Sequence, residues 1–297
     1  MAHLLDSITY KPIINTIEYN AYRIGILRLD LIHPEISGNK WFKLKYNLEA
    51  AKTEHKNTII TFGGAFSNHI VATAVACKST GLKCIGIIRG EESYASNPTL
   101  SFAKQNGMEL LFVNREEYSQ KNDTGYLQRL RYMYPEAYII PEGGNNKLGQ
   151  KGCEEILTAP TYGYSSIFCA HGTGTTYKGI ATSLLTHQTL TVVNVLNFEA
   201  VANEAQTTIL NNYHFGGYAK HTKELLEFKT WFETTYYIEL DYVYTAKLFY
   251  AVFDLMKQEK LDSKEILIIH SGGLQGNKGY EERYNLNPNR QVNDAQG

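Results

Sequence analysis

The 297 residues are enough for one large domain or two modest ones. Hydrophobic residues make up 43% and charged residues 20%, a composition that suits a globular chain with a sizeable core. A net charge of −1, with no apolar run near the ~18 residues of a bilayer span, excludes binding to nucleic acid or anionic membranes through bulk charge, and excludes a membrane helix.

In chain order, the first strongly patterned segment is Ser37-Gly38-Asn39-Lys40-Trp41-Phe42-Lys43-Leu44. Trp41, Leu44, Leu48 and Ala51 recur at helical spacing, so a helix burying one face is expected, with Asn39 as its N-cap. Lys40 then falls in the first turn, where the helix dipole opposes a cation and favours the neutral, nucleophilic amine. The alternative for Lys40 is an exposed lysine on a solvated face.

Beyond it, strands are expected over 58–62 (TIITF), 83–88 (KCIGII), 109–113, 138–140, 166–170 (SIFCA), 191–196 and 265–270 (EILIIH). Helices are expected over 67–79, 98–105 and 177–186, with another starting at 152. The stretch 114–128 reads as a loop or solvated helix, and the tail after Asn285 as loosely ordered chain. Short apolar strands between helices predict an α/β fold with parallel sheets.

Three strands end in loops able to hold a ligand: Gly63-Gly64-Ala65-Phe66-Ser67-Asn68-His69, His171-Gly172-Thr173-Gly174-Thr175-Thr176 and His270-Ser271-Gly272-Gly273. The second has the features of a phosphate cradle: backbone that can approach an anion, hydroxyl donors, and the free N–H groups of a following helix. Its spacing is neither a dinucleotide fingerprint nor a Walker loop, and a plain turn is the other reading. Cys77, Cys84, Cys153 and Cys169 match no zinc pattern, so no metal is expected. The N-terminus carries Asp6 and no basic-then-apolar signal, so a cytoplasmic location with reduced thiols is expected.

In these segments the chain resembles the D-cysteine desulfhydrase/1-aminocyclopropane-1-carboxylate deaminase family of pyridoxal-phosphate (PLP) enzymes, whose fold is that of the tryptophan synthase β-subunit. The resemblance runs from about Arg28 to Gly276. It rests on Gly38-Asn39-Lys40 with Lys43-Leu44, Gly63-Gly64 with Ser67-Asn68-His69, Pro141-Glu142-Gly143-Gly144, Gly172-Thr173-Gly174-Thr175-Thr176, and the segment from Leu240 to Lys247 with His270-Ser271-Gly272-Gly273.

The resemblance implies a fold type II PLP enzyme: two open, twisted, mainly parallel sheets flanked by helices, with PLP in the cleft between domains. Residues 1–42 with 148–297 would form the large domain and 43–147 a small inserted one. It implies Lys40 as the Schiff-base lysine, Asn68 as partner of the ring oxygen, and Gly172, Thr173, Gly174, Thr175 and Thr176 as the phosphate cradle. Ser67, Asn68 and His69 would face the substrate, and Tyr218 and Tyr244 would match two active-site tyrosines. Lys40 or Ser67 would remove the Cα proton. Glu142 and Asp241 read as loop caps or partners of nearby cations.

Thr245 and Ser271 separate the branches: the deaminases carry Glu and Leu there, the desulfhydrases small hydroxyl residues. A carboxylate beside the pyridine nitrogen makes a strong electron sink, whereas a hydroxyl suffices when the β-substituent leaves readily. The expectation is α,β-elimination from a small amino acid, D-cysteine giving pyruvate, sulfide and ammonia. The alternatives are 1-aminocyclopropane-1-carboxylate deamination to 2-oxobutanoate, and a non-catalytic PLP-binding protein. A small amino-acid substrate and a homodimer are the implied partners, with neither nucleic acid nor membrane. Departures from the family pattern include Leu27-Arg28-Leu29-Asp30 before the lysine, Tyr242 in place of a proline, and Ala246 in place of a glycine.

Overall fold

The computed structural model describes residues 8–261 and 265–286. The chain opens with β1 (Ile14–Tyr19) and β2 (Tyr22–Arg28), an antiparallel hairpin whose turn residue Asn20 adopts a left-handed φ of 52°. Then come α1 (Asn39–Thr53), β3 (Thr58–Gly64), α2 (Asn68–Thr80), β4 (Lys83–Arg89), α3 (Pro98–Gln105), β5 (Met108–Val113), α4 (Arg115–Ser119), α5 (Thr124–Met133) and β6 (Ala137–Ile140). The second half holds α6 (Lys147–Cys153), β7 (Ser166–His171), α7 (Thr175–Thr182), β8 (Thr189–Asn194), β9 (Thr207–Leu210), α8 (Lys223–Tyr236), α9 (Thr245–Lys257), β10 (Glu265–His270) and α10 (Asn277–Tyr284).

Two sheets result. One has the order β1-β2-β10-β7-β8-β9, parallel except for the hairpin. The other is β5-β4-β3-β6, parallel throughout. The expected pair of mainly parallel sheets with flanking helices is therefore present. All four strands of the second sheet fall within 43–147, while α1 runs across residue 43.

Period-two alternation distributes the core into three apolar clusters. Leu27, Leu267 and Ile269 join Ile59 and Leu44 in a cluster that touches both sheets. Their neighbours Ile26, Ile266 and Ile268 point the other way, onto Phe232, Phe249 and Phe253 of α8 and α9. Ile60 and Phe62 face Tyr118, Tyr126 and Leu130. Strands buried on both faces cannot alternate with polar residues, which explains the continuous apolar runs. Trp41, Leu44, Leu48 and Ala51 of α1 are all buried, as their spacing predicts.

Several sequence expectations shift. Asn39 is not the cap of α1: Gly38 holds that position, with no side-chain cap, and Asn39 is the first helical residue. The helix expected to start at 152 instead ends at Cys153, after starting at Lys147 behind an Asn146 side-chain cap. A β-carbon on Gly152 would lie 1.8 Å from the Phe42 carbonyl oxygen, so the glycine lets α6 pack directly on α1. Helix α7 starts two residues earlier than expected and stops at Thr182. The stretch read as loop or solvated helix holds α4 and α5, capped by the Asn114 and Asp123 side chains. The hairpin, β9, α8 and α9 lie where the sequence reading placed no element. The tail read as loose lies outside the described residues after Leu286.

Where β2 meets β10, Asp30 is buried between Arg28 and His270. Arg28 donates to both its carboxylate oxygens, at 2.6 Å from Nη2 and 2.9 Å from Nε, and His270 Nδ1 lies 3.1 Å away. Burial pushes the Asp30 carboxyl up, but hydrogen bonds and charge from His270 and Arg28 outweigh it and hold the group at about 2, against 3.8 unperturbed. A depressed carboxylate pKa gives stability that is present above the unfolded value and lost as pH falls through the folded one. Between pH 3.8 and 2 the protein should therefore lose about 2 kcal/mol through Asp30. Asp30→Asn should cost about 3 kcal/mol at pH 7 and flatten that acid limb. Urea midpoints measured from pH 7 to 2 check both, and equal acid slopes in the two proteins would contradict this account.

Candidate active site

The carboxyl ends of β2, β3, β4, β6, β7 and β10 converge on a cavity of about 310 Å³. Of the expected site residues, Lys40, Ser67, Asn68, His69, Gly172, Thr173, Gly174, Thr176, Tyr218, Tyr244 and Ser271 line it. Thr175 and Thr245 do not. Thr175 is buried behind the wall, its hydroxyl donating to Asn145 Oδ1 at 3.0 Å. Thr245 is fully buried and its hydroxyl is taken up by Asp241, donating to Oδ1 at 2.7 Å and accepting from the Asp241 backbone N–H at 2.6 Å.

Lys40 is delivered by an unusually close turn. Gly38 sits at φ 69°, ψ −147°, and a β-carbon on it would lie 1.9 Å from the Ser271 carbonyl oxygen. That oxygen accepts the Asn39 N–H at 3.1 Å, so the start of α1 hangs on the end of β10. Only glycine fits both the dihedrals and the gap. Lys40 Nζ donates to Asn39 Oδ1 at 2.6 Å, and Asn39 Nδ2 donates to Thr176 Oγ1 at 2.8 Å. Asn39 thus ties the lysine to the glycine–threonine loop. Burial first, then the Lys43 charge, lowers the Lys40 pKa to about 7, against a smaller opposing pull from Asp241. Desolvation and the Lys43 charge, rather than the helix dipole expected from the first-turn position, carry the shift.

Lys43 is that second cation. It is 5% exposed, lines the same cavity, and among the described residues its ammonium makes no hydrogen bond or ion pair. Burial lowers its pKa. A buried lysine without an acceptor leaves a place for an anionic ligand. Gly174, left-handed at φ 90°, opens α7, whose first N–H groups have no intrahelical acceptor.

The opposite wall is the start of α2. Ser67 is its N-cap, accepting the Ile70 N–H at 3.4 Å. Asn68 Oδ1 and His69 Nδ1 are buried without partners. Thr61 Oγ1 donates to the Ile140 carbonyl at 2.9 Å, so at 2.8 Å it accepts from His69 Nε2, and this pattern assigns the ring proton to Nε2. His69 Nδ1 is then a free acceptor. Burial, then Lys40 and Lys43, lowers His69 to about 3, so the ring is neutral.

Tyr218 and Tyr244 meet edge to face, 6.4 Å between centroids. Tyr218 stands at the mouth; burial of its phenol in the cleft, then the Glu142 charge, raises it to about 12. Burial, then Tyr218, raises Tyr244 well above its ordinary value. Asp241 is the loop cap expected of it: its carboxylate accepts the N–H groups of Val243, Tyr244 and Thr245 at 2.7–2.9 Å. Glu142 accepts from the Tyr118 hydroxyl at 2.8 Å and lies 3.5 Å from Lys121.

From the sequence, Asn39 reads as a cap, Lys43 as a helix-face cation that could also sit near the cofactor, and Lys247 has no assigned role. The three-residue spacing of Lys40 and Lys43 on one helix face was the available signal. Lys247 is fully buried in α9 and donates to the carbonyls of His214 at 2.8 Å and Gly217 at 2.7 Å, fixing the loop that carries Tyr218. Burial lowers its pKa to about 8.

No family model matches the chain. It is 30% identical, over 88% of its length and 87% of the other, to a Pyrococcus horikoshii protein that carries the provisional name 1-aminocyclopropane-1-carboxylate deaminase. It is 28% identical to the bifunctional D-cysteine desulfhydrase/1-aminocyclopropane-1-carboxylate deaminase of Arabidopsis thaliana, over 86% of this chain and 74% of that one. A crystal structure of an ACC deaminase homologue superimposes with a TM-score of 0.80 at 26% identity, covering 93% of each chain. The chain belongs to the 1-aminocyclopropane-1-carboxylate deaminase/D-cysteine desulfhydrase family of enzymes.

Proposed function

We propose that the protein is a PLP-dependent lyase that eliminates the β-substituent of a small amino acid, with D-cysteine converted to pyruvate, sulfide and ammonia. The observation that carries this reading is a lysine lowered to about 7 in the same cavity as a second, unpartnered buried lysine and a glycine–threonine helix start.

The residues present fit the cofactor. Lys43 and the N–H groups opening α7 would hold a phosphate, with Thr173, Gly174 and Thr176 around it. Asn68 would meet the ring oxygen, and Ser271 offers a hydroxyl on the floor where its own has no partner among the described residues. Bound PLP supplies an electron sink for the pair released when the Cα–H bond breaks.

The chain's own contributions follow from the geometry. Near neutral pH a large fraction of Lys40 is unprotonated, as an attacking amine requires. Ser67 and the N-terminus of α2 would hold the substrate carboxylate. Lys40 or Ser67 would take the Cα proton, and the neutral His69 offers an acceptor beside them. Ser271 brings a hydroxyl to the cavity, and the carboxylate of Asp241 that lines it is committed to its own loop. A site of that kind supports a substrate with a good leaving group. Deamination of the cyclopropane amino acid is the second reading, supported by the paired Tyr218 and Tyr244. The segment 43–147, with its own four-stranded sheet, is proposed as the unit that closes the cleft.

Lys40→Ala should remove both the borohydride-reducible attachment of PLP, read by intact mass, and pyruvate release; an adduct retained in the variant would defeat the assignment. Lys43→Met should weaken PLP binding about tenfold, the worth of one charge-assisted contact, in an absorbance titration. Pyruvate release from D-cysteine should exceed 2-oxobutanoate release from 1-aminocyclopropane-1-carboxylate, and the reverse order selects the deaminase reading.

A further inference from the structure

One arginine in the cavity wall and another beside it are used by neither cofactor attachment nor proton transfer. Arg89, at the end of β4, lines the cavity, and its Nη2 would lie 3.9 Å from a β-carbon on Gly64. Its guanidinium stands over the Tyr118 ring, 5.6 Å from the centroid, which fixes the plane and leaves the N–H edges available. Arg283 of α10 stands over the Phe66 ring at 5.5 Å, and Phe66 also lines the cavity. The two guanidiniums therefore flank the Gly64–Phe66 loop, just before Ser67.

Neither arginine makes a hydrogen bond or ion pair with another described residue. The facing acid is Glu142, and it is engaged by the Tyr118 hydroxyl and by Lys121. Asp241, deeper in the cavity, is capped by three backbone N–H groups and the Thr245 hydroxyl. Both arginines act on the Tyr218 phenol, so their field reaches the substrate side of the cleft, although there Glu142 acts more strongly than Arg89 and Asp241 more strongly than Arg283.

We propose that Arg89 and Arg283 form a specificity subsite for an anion on the β-substituent, so that the preferred substrates are β-substituted amino acids ending in a carboxylate or an oxyanion of sulfur or phosphorus. The proposal rests on the lyase reading above and names its substrate class. Cysteine is the unextended member of that series and does not reach the arginines. For an S-sulfonate of cysteine the balance is closed: the Cα–H bond breaks to a protein base, and the Cβ–S bond breaks with its electron pair leaving on thiosulfate. Water then hydrolyses the remaining three-carbon unit to pyruvate and ammonia, with no oxidant or reductant required.

The test separates binding from turnover. On the PLP-loaded protein, calorimetric dissociation constants are measured for aspartate against asparagine and glutamate against glutamine, in both configurations. These pairs match in shape and differ in charge. At least one acid should bind about tenfold more tightly than its amide, the worth of a charge-assisted contact. Arg89→Gln should erase most of that difference, and in the same variant S-sulfocysteine should lose kcat/KM relative to the neutral S-ethylcysteine. Equal binding of acids and amides by the unsubstituted protein overturns the subsite without any variant. So does a preference that survives both Arg89→Gln and Arg283→Gln. Should no cysteine enantiomer be turned over while the acids still bind preferentially, the lyase reading fails and the anion subsite stands.

Discussion

The close contact between Gly38 and Ser271 sets the geometry of everything above it. Strand β2 lies parallel to β10, with Arg28 opposite His270, so the loops leaving both strands emerge side by side. A gap that a single β-carbon would close to 1.9 Å lets the Asn39 N–H bond the Ser271 carbonyl, and α1 starts there. Beneath that contact, Asp30 joins Arg28 to His270, and its carbonyl accepts the Ser37 hydroxyl at 3.2 Å. Residues from opposite ends of the chain are thereby locked in register, and Lys40 is projected into the cleft with little freedom. Pre-set geometry of this kind is what lets a site position a reacting group without reordering it.

The second constraint is a concentration of buried positive charge. Lys40, Lys43 and His69 share one cavity; desolvation disfavours the charged form of each, Lys43 further opposes charging of Lys40, and both lysines oppose charging of His69. Folding alone does not recover that cost, because among the described residues no acid pairs with either lysine. Such an arrangement is uphill for an empty protein and favourable for one that holds an anion, so stability and ligand affinity are linked. Lys247 shows the contrasting solution. It is equally buried, but two backbone carbonyls at 2.7–2.8 Å receive its protons, and it serves the loop under Tyr218.

Much of the fold was legible in the sequence because parallel strands buried on both faces leave apolar runs, and β3, β4, β7 and β10 are such runs. The misplaced helices have specific causes. Gly149 and Gly152 weaken the local helix signal of α6, yet tight packing against neighbouring backbone requires glycine there. Helices α8 and α9 carry aromatic faces, from Leu225 to Phe232 and from Phe249 to Phe253, and bury them on the six-stranded sheet. The hairpin is held by pairing with β10, a strand about 240 residues further along, which no local window contains.

The sequence by itself determined the ordered set of loops: a lysine after Gly-Asn, a serine before Asn-His at the start of a helix, a glycine–threonine loop leading into a helix, and serine and threonine on the late segments. These are local properties, each requiring only its own residue types and spacing. The tertiary structure decided which of them face one another and in what electrostatic state. It set Asn39 between Lys40 and Thr176, buried Lys43 in the cavity, and turned Thr245 and Thr175 away behind the wall. The physical reason is that desolvation, close approach and the commitment of a hydroxyl or carboxylate to a neighbour depend on distances across the fold. A one-dimensional pattern does not carry those distances.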